Sequence, residues 1–156
     1  MKRSITILSM ALTLTLISGI NVCEAASPLT VNDLKCEYKT NPLGIDVSRP
    51  RLSWTIGASQ RGTVQSAYHI LAANSVEDLS PGQNLLWDSG KIQSDQSVHV
   101  IYAGPVLAAR QRVYWQVRVW DNHGNVSEWS KPAWWEMGLL KASDWQADWI
   151  EPDIKE

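Results

Sequence analysis

From residue 29 to residue 137 the chain alternates apolar and polar positions in short runs, each broken by Gly, Pro, Asn or Asp. No stretch sustains a 3.6-residue apolar period, so the pattern predicts strands rather than helices. The first predicted strand spans 29–38, with Leu29 and Val31 on one face, and TNPLGID (40–46) follows as a turn. RLSWTI (51–56) is a second strand, with Leu52, Trp54 and Ile56 on one side. AYHILAA (67–73) is a third, and both of its faces are largely apolar. SVEDL (75–79) reads as one helical turn capped by Ser75. LLWDSGKI (85–92) reads as a bent strand or strand pair around Asp88, Ser89 and Gly90. Strands at 98–102, 112–120 and 133–137 complete the set. About seven short strands at regular spacing predict an all-β antiparallel sandwich.

The longest strand divides its residues cleanly. Val113, Trp115, Val117 and Val119 share one purely apolar face, while Tyr114, Gln116, Arg118 and Trp120 share the other. The first row is expected in the core, with Trp54 as a partner from the opposite sheet. On the second face Arg118 stands two residues from Trp120, and Trp129 can return after the DNHGN turn to join them. Two readings remain open there. One is a cation–π ladder that stiffens the sheet. The other is a set of flat indoles that stack on a sugar. Trp134 and Trp135 are adjacent in a strand, so one is expected in the core and the other outside it. Trp145 and Trp149 lie in ASDWQADWI (142–150). They share a helix face if Ser143 and Gln146 form a capping box, and they share a strand face if the segment is extended. Trp120, Trp129, Trp134, Trp135, Trp145 and Trp149 are therefore the candidate sugar or domain contacts. Trp54, Val113, Trp115, Val117 and Val119 are the candidate core.

Composition changes the picture at the N-terminus. Met1, Lys2 and Arg3 precede an apolar run over 5–20, and small residues lead to Ala25. That arrangement predicts a signal peptide over 1–25, cleaved after Ala25, and hence a secreted or periplasmic protein. Lipidation at Cys23 is the alternative, although Val22 before it is bulky for such a site. The chain then divides into a sandwich at 26–140 and a linker, or the start of a further β-domain, at 141–156. Loss of Lys2, Arg3 and Glu24 takes the balance from 14 basic and 16 acidic residues to 12 and 15, a net charge of −3. No basic patch points to nucleic acid. Only Cys36 remains downstream of residue 25, so no internal disulfide is expected and the core must hold the fold.

Catalytic patterns are sparse. His69, His99 and His123 are scattered, with no metal-ligand spacing, so neither a metal nor a cofactor is expected. There is no GxSxG and no phosphate-cradling glycine loop. Glu128 and Glu136 stand beside tryptophans but read as solvated carboxylates rather than a glycosidase pair. Cys36 reads as a small core residue.

Six segments in order carry a more specific signal: NPLGID (41–46), RPRLSW (49–54), SAYHILAA (66–73), LWDSGKIQSDQS (86–97), YWQVRVWDNHGNVSEWS (114–130) and WEMGLL (135–140). Together they resemble the N-terminal region of bacterial α-L-rhamnosidases of glycoside hydrolase family 78. The resemblance runs from about Leu29 to Ile150. It implies a fibronectin type III-like sandwich that is itself non-catalytic, with DWQADWI (144–150) leading into the next β-domain. It also implies that hydrolysis of terminal α-L-rhamnose, with inversion, belongs to an (α/α)6 barrel absent from this chain. The partners it implies are the missing C-terminal domains of the same enzyme and rhamnose-containing glycans. An independent carbohydrate-binding or protein-interaction module is the alternative. One departure stands out. Trp115, eight residues after Leu107, occupies the core position of the corner tyrosine of ordinary type III domains, and Tyr114 points the other way. The tyrosine clamp is then either missing or replaced by the indole N–H.

Overall fold

The computed structural model describes residues 29–147 and 150. The expected signal peptide, Cys23 and Trp149 lie outside the described residues. Eight strands form, in order β1 (Leu29–Cys36), β2 (Arg51–Ala58), β3 (Gln65–Ala73), β4 (Leu85–Asp88), β5 (Ile92–Gln93), β6 (Val100–Ile101), β7 (Arg112–Asp121) and β8 (Ala133–Glu136). A three-stranded sheet runs β1-β2-β6. It faces a five-stranded sheet that runs β4-β3-β7-β8, with β5 also paired to β3. All strand pairs are antiparallel. This is the antiparallel β-sandwich that the strand spacing predicts, and its type is the immunoglobulin-like one that the resemblance implies.

The predicted first strand stops at Cys36 instead of Tyr38. Glu37 and Tyr38 both take positive φ, 47° and 66°, and Cys36 and Lys39 exchange both backbone hydrogen bonds across them. Two left-handed central residues make a tight hairpin turn that matches sheet twist, and the strand cannot continue through it. Residues 75–79 are a turn, not a helix: Ser75 Oγ accepts from Asp78 N at 3.2 Å and donates to its carboxylate at 2.7 Å. Of the two readings of the tail, the capping box at Ser143 and Gln146 is absent. Residues Ala142–Asp144 form a single 3-10 turn, and the Asp144 carboxylate accepts from Leu140 N and Lys141 N at 3.0 and 2.9 Å.

Burial follows strand parity. Val113, Trp115, Val117 and Val119 are fully buried, and Trp54 and Leu52 meet them from the opposite sheet. The Trp54 ring packs edge-on to Tyr68, with centroids 5.3 Å apart. Its Nε1 donates to Gln65 Oε1 at 2.9 Å, and Gln65 Nε2 donates to the carbonyls of Ser94 and Gln96. Tyr102 packs edge-on to both Trp87 and Trp135. Trp115 Nε1 finds no acceptor among the described residues, so the indole does not replace the tyrosine clamp. Its contribution is packing alone.

The outer face of the five-stranded sheet is less open than alternation implies. Leu71 and Ala73 are buried there with Leu79, which the β3–β4 loop folds over them, and Leu85, Tyr114 and Trp129 pack around this second cluster. Gln116 is buried beneath the same loop and donates to Leu79 O at 2.8 Å. The two apolar faces of AYHILAA are thus both used.

Cys36 is buried, and burial, with the neighbouring Glu37 carboxylate, pushes its thiol up to about 12. The thiolate is the reactive species. We therefore expect Cys36 in the native protein to resist iodoacetamide at pH 8 and to alkylate fully in denaturant. Peptide mapping checks this, and fast native labelling would contradict the burial.

Candidate functional site

The aromatic face is built by the pairing of β3 with β7. Register sets His69 opposite Arg118 and Ala67 opposite Trp120, all on the outer side of the sheet. The turn after β7 then brings Trp129 back. Ser127 and Ser130 hydroxyls accept from Val119 N and Val117 N at 3.0 and 3.1 Å, so this segment runs beside β7 without a regular ladder. The Arg118 guanidinium ends up 4.6 Å from the Trp129 ring centre and 5.2 Å from that of Trp120. Lys91 Nζ lies 4.4 Å from the Trp120 ring centre. Trp129 meets the edge of His69, and His69 Nε2 lies 2.6 Å from Asp88 Oδ1. Lys91, Trp120, Arg118 and Trp129 form a ladder of alternating cations and rings, which the His69 ring and the Asp88 carboxylate extend. Each cation–ring contact contributes about 0.5–2 kcal/mol.

Trp134 repeats the theme at the sheet edge. Arg112 sits 4.3 Å above its ring and pairs with Glu136 at 2.8 Å. Trp135, one of the candidate sugar or domain contacts, is fully buried and is the core member of the Trp134–Trp135 pair. The reason is parity: β8 points Ala133 and Trp135 inward and Trp134 outward. Trp145 is 56% exposed, beside the single 3-10 turn. Trp120, Trp129 and Trp134 thus each carry a cation over the ring, while Trp145 lies at the end of the sandwich.

The turn that positions Trp129 depends on Asp121. Its carboxylate accepts from His123 N, Asn125 N and Asn125 Nδ2 at 2.8–2.9 Å. Burial alone would raise this carboxyl, but those hydrogen bonds outweigh it and hold the group below the usual carboxylate range. Asp88 behaves alike, with burial opposed by Gly90 N and His69. Glu37 is lowered chiefly by its hydrogen bonds from Arg51. All three carboxyls give up their protons more readily in the folded state. They therefore add stability above the unfolded pKa of about 4, and that contribution is lost as pH falls through their lower folded values. The melting temperature should be flat from pH 7 to about 5 and drop below about 4. A profile unchanged down to pH 2 would refute it.

Little on this surface can do bond-breaking chemistry. Glu136 is committed to Arg112, and Glu128 is exposed. Among the described residues no group of three or more His, Cys, Asp or Glu is arranged to hold a metal ion. A groove of about 620 Å³ runs between β1 and residues 128–133. Its polar lining is already engaged in part. Asn32 donates to Thr30, and Asp33 accepts from Thr55.

Comparison with known proteins settles the lineage. The model for the Rha78A-like, N-terminal immunoglobulin domain matches residues 31–141. The chain belongs to that family. An α-L-rhamnosidase from Streptomyces avermitilis is 51% identical over 124 residues, covering 80% of this chain and 12% of the relative. One from Formosa agariphila is 41% identical over 136 residues, covering 87% and 14% respectively. The crystal structure of the S. avermitilis α-L-rhamnosidase complexed with L-rhamnose superposes with a TM-score of 0.74 at 50% identity, over 79% of this chain and 12% of that one. The Dictyoglomus thermophilum α-L-rhamnosidase structure gives 0.73 at 34% identity, over 78% and 14%. The chain therefore spans about an eighth of the length of the curated relatives it matches, within their N-terminal immunoglobulin-like region.

Proposed function

We propose that this chain serves as the non-catalytic N-terminal sandwich of an exported α-L-rhamnosidase of glycoside hydrolase family 78. Hydrolysis of terminal α-L-rhamnose then belongs to other domains of that enzyme, against which the sandwich packs. The observation that carries this reading is the 51% identity to an α-L-rhamnosidase of which the chain covers only 12%. The ladder supports it from the chemical side, because its ionisable groups are paired with rings and with each other rather than converging on a substrate-sized space. Incubating the purified chain with p-nitrophenyl α-L-rhamnopyranoside should give no release above buffer. Steady turnover by the chain alone would overturn the assignment. A role as an independent sugar-binding module is less favoured, since Trp120, Trp129 and Trp134 each carry a cation over the ring.

Export rests on the basic, apolar and small-residue order of positions 1–25. The mature protein is then expected to begin at Ala26, in the periplasm or outside the cell. Intact-mass measurement of the protein from its native cell tests this. A species that retains the leader would count against it.

A further inference from the structure

The geometry points to one end of the sandwich as the surface on which the next domain of the same polypeptide docks. This inference rests on the proposed function. At that end β2 begins, β6 and β8 finish and β7 starts, so the β1–β2 loop, the β6–β7 loop and the segment leaving β8 all converge there. Each carries exposed apolar side chains. Leu43 is 65% exposed, Val47 43%, Val106 86% and Trp145 56%, and Ile150 further along is 95% exposed. Exposed apolar side chains gathered at one end of a domain mark an interaction site.

Four features make the end a shaped platform rather than a collection of mobile tips. Ile45 N donates to Glu136 O and Gly138 N donates to Ile45 O, which zips the β1–β2 loop to the exit segment. Arg110 N donates to Gly138 O and Met137 N to Gln111 O, which adds the β6–β7 loop. Gly138 packs so closely on Gly44 that a Cβ there would lie 3.2 Å from the Gly44 carbonyl carbon, so the two backbones meet without side chains between them. Beyond Gly138 the Asp144 carboxylate ties the 3-10 turn to Leu140 N and Lys141 N, and Arg110 reaches Asp144 O at 3.4 Å. Trp145 is thereby presented beside the loops that carry Val106 and Leu43. Exposed Asp46, Arg49, Arg110 and Lys141 surround these apolar residues in sequence, consistent with the polar rim of a docking site.

The occupant follows from where the chain leaves and from the relatives' lengths. The segment after β8 departs from this end, and the relatives are several times longer than this chain. A following domain joined through a few residues past Ile150 starts next to these side chains, and its effective concentration there is high. Val64, at the opposite end and 56% exposed, and Val98, beside β2 and away from these loops at 52% exposure, supply matched controls.

The test is a chimera in which residues 29–147 replace the corresponding region of the S. avermitilis α-L-rhamnosidase. Leu43→Asp with Val106→Asp should lower the melting temperature of the chimera. The same pair should speed amide exchange in residues 42–47 and 106–111 of the chimera on the order of tenfold, as loss of an interface anchor does. The pair should leave the 156-residue chain unchanged, because both side chains are already in water. Val64→Asp with Val98→Asp should change neither protein. An active, folded chimera in which the two pairs behave alike would overturn the docking surface while leaving the proposed function standing. A chimera that fails to fold or to hydrolyse p-nitrophenyl α-L-rhamnopyranoside would overturn both.

Discussion

Trp135→Ala is expected to cost about 3–5 kcal/mol, whereas Trp134→Ala, one residue earlier, is expected to cost about 1 kcal/mol. Trp135 is fully buried and its ring meets Tyr102 edge-on, 5.5 Å between centroids. Its Nε1 has no hydrogen-bond partner among the described residues, so removal orphans no polar group, and the loss is apolar area plus the cavity left behind. Trp134 gives up a contact with Arg112, while its backbone N–H keeps the Asn41 side chain as acceptor at 3.0 Å. Domains of this size unfold with about 5–15 kcal/mol, and each kcal/mol moves the melting temperature by roughly 4 °C. The first variant should therefore melt roughly 12–20 °C lower and the second a few degrees lower. Thermal denaturation followed by circular dichroism reads both. Equal losses would mean that β8 is out of register by one residue.

Gln65→Ala should cost roughly 2–4 kcal/mol, although it removes little apolar area. Gln65 is a buried connector. Its Oε1 receives the Trp54 indole N–H from the other sheet, and its amide nitrogen serves two carbonyls at Ser94 and Gln96. The amide orientation is dictated by its partners, because an indole only donates and a carbonyl only accepts. Truncation leaves the Trp54 donor without its acceptor inside the core. Gln65→Glu is nearly the same shape, yet at neutral pH it should also destabilise, since it offers an oxygen to two carbonyl oxygens. Urea unfolding of both variants is the check. A neutral Gln65→Glu would show that shape, not hydrogen-bond polarity, is what the site requires.

Much of the fold was legible because strand parity is a local property. The row Val113, Trp115, Val117 and Val119 is apolar without exception, and all four are buried. The Arg118–Trp120 contact follows from two residues on one face of one strand, and the ladder contains it. Parity could say only that Trp134 and Trp135 point opposite ways. Deciding which is core required the pairing of β8 with β7, where Val113 lies opposite Trp135 and Tyr114 opposite Trp134. The turn at Glu37 and Tyr38 escaped notice because neither residue favours positive φ, and only the hairpin around them holds that conformation.

Amino-acid order by itself determined that this is a β-sandwich with an apolar row on its longest strand, and its ordered motifs mark it as rhamnosidase-like. Those features depend on alternation and on residues near one another in the chain. Tertiary structure alone decided how the outer face is used. The β3–β4 loop lays Leu79 over Leu71 and Ala73, Lys91 reaches Trp120 from another strand connection, and Gln65 bridges the two sheets. Such contacts join residues on different strands and loops. They exist only once sheet pairing has set their register, and no local pattern encodes them.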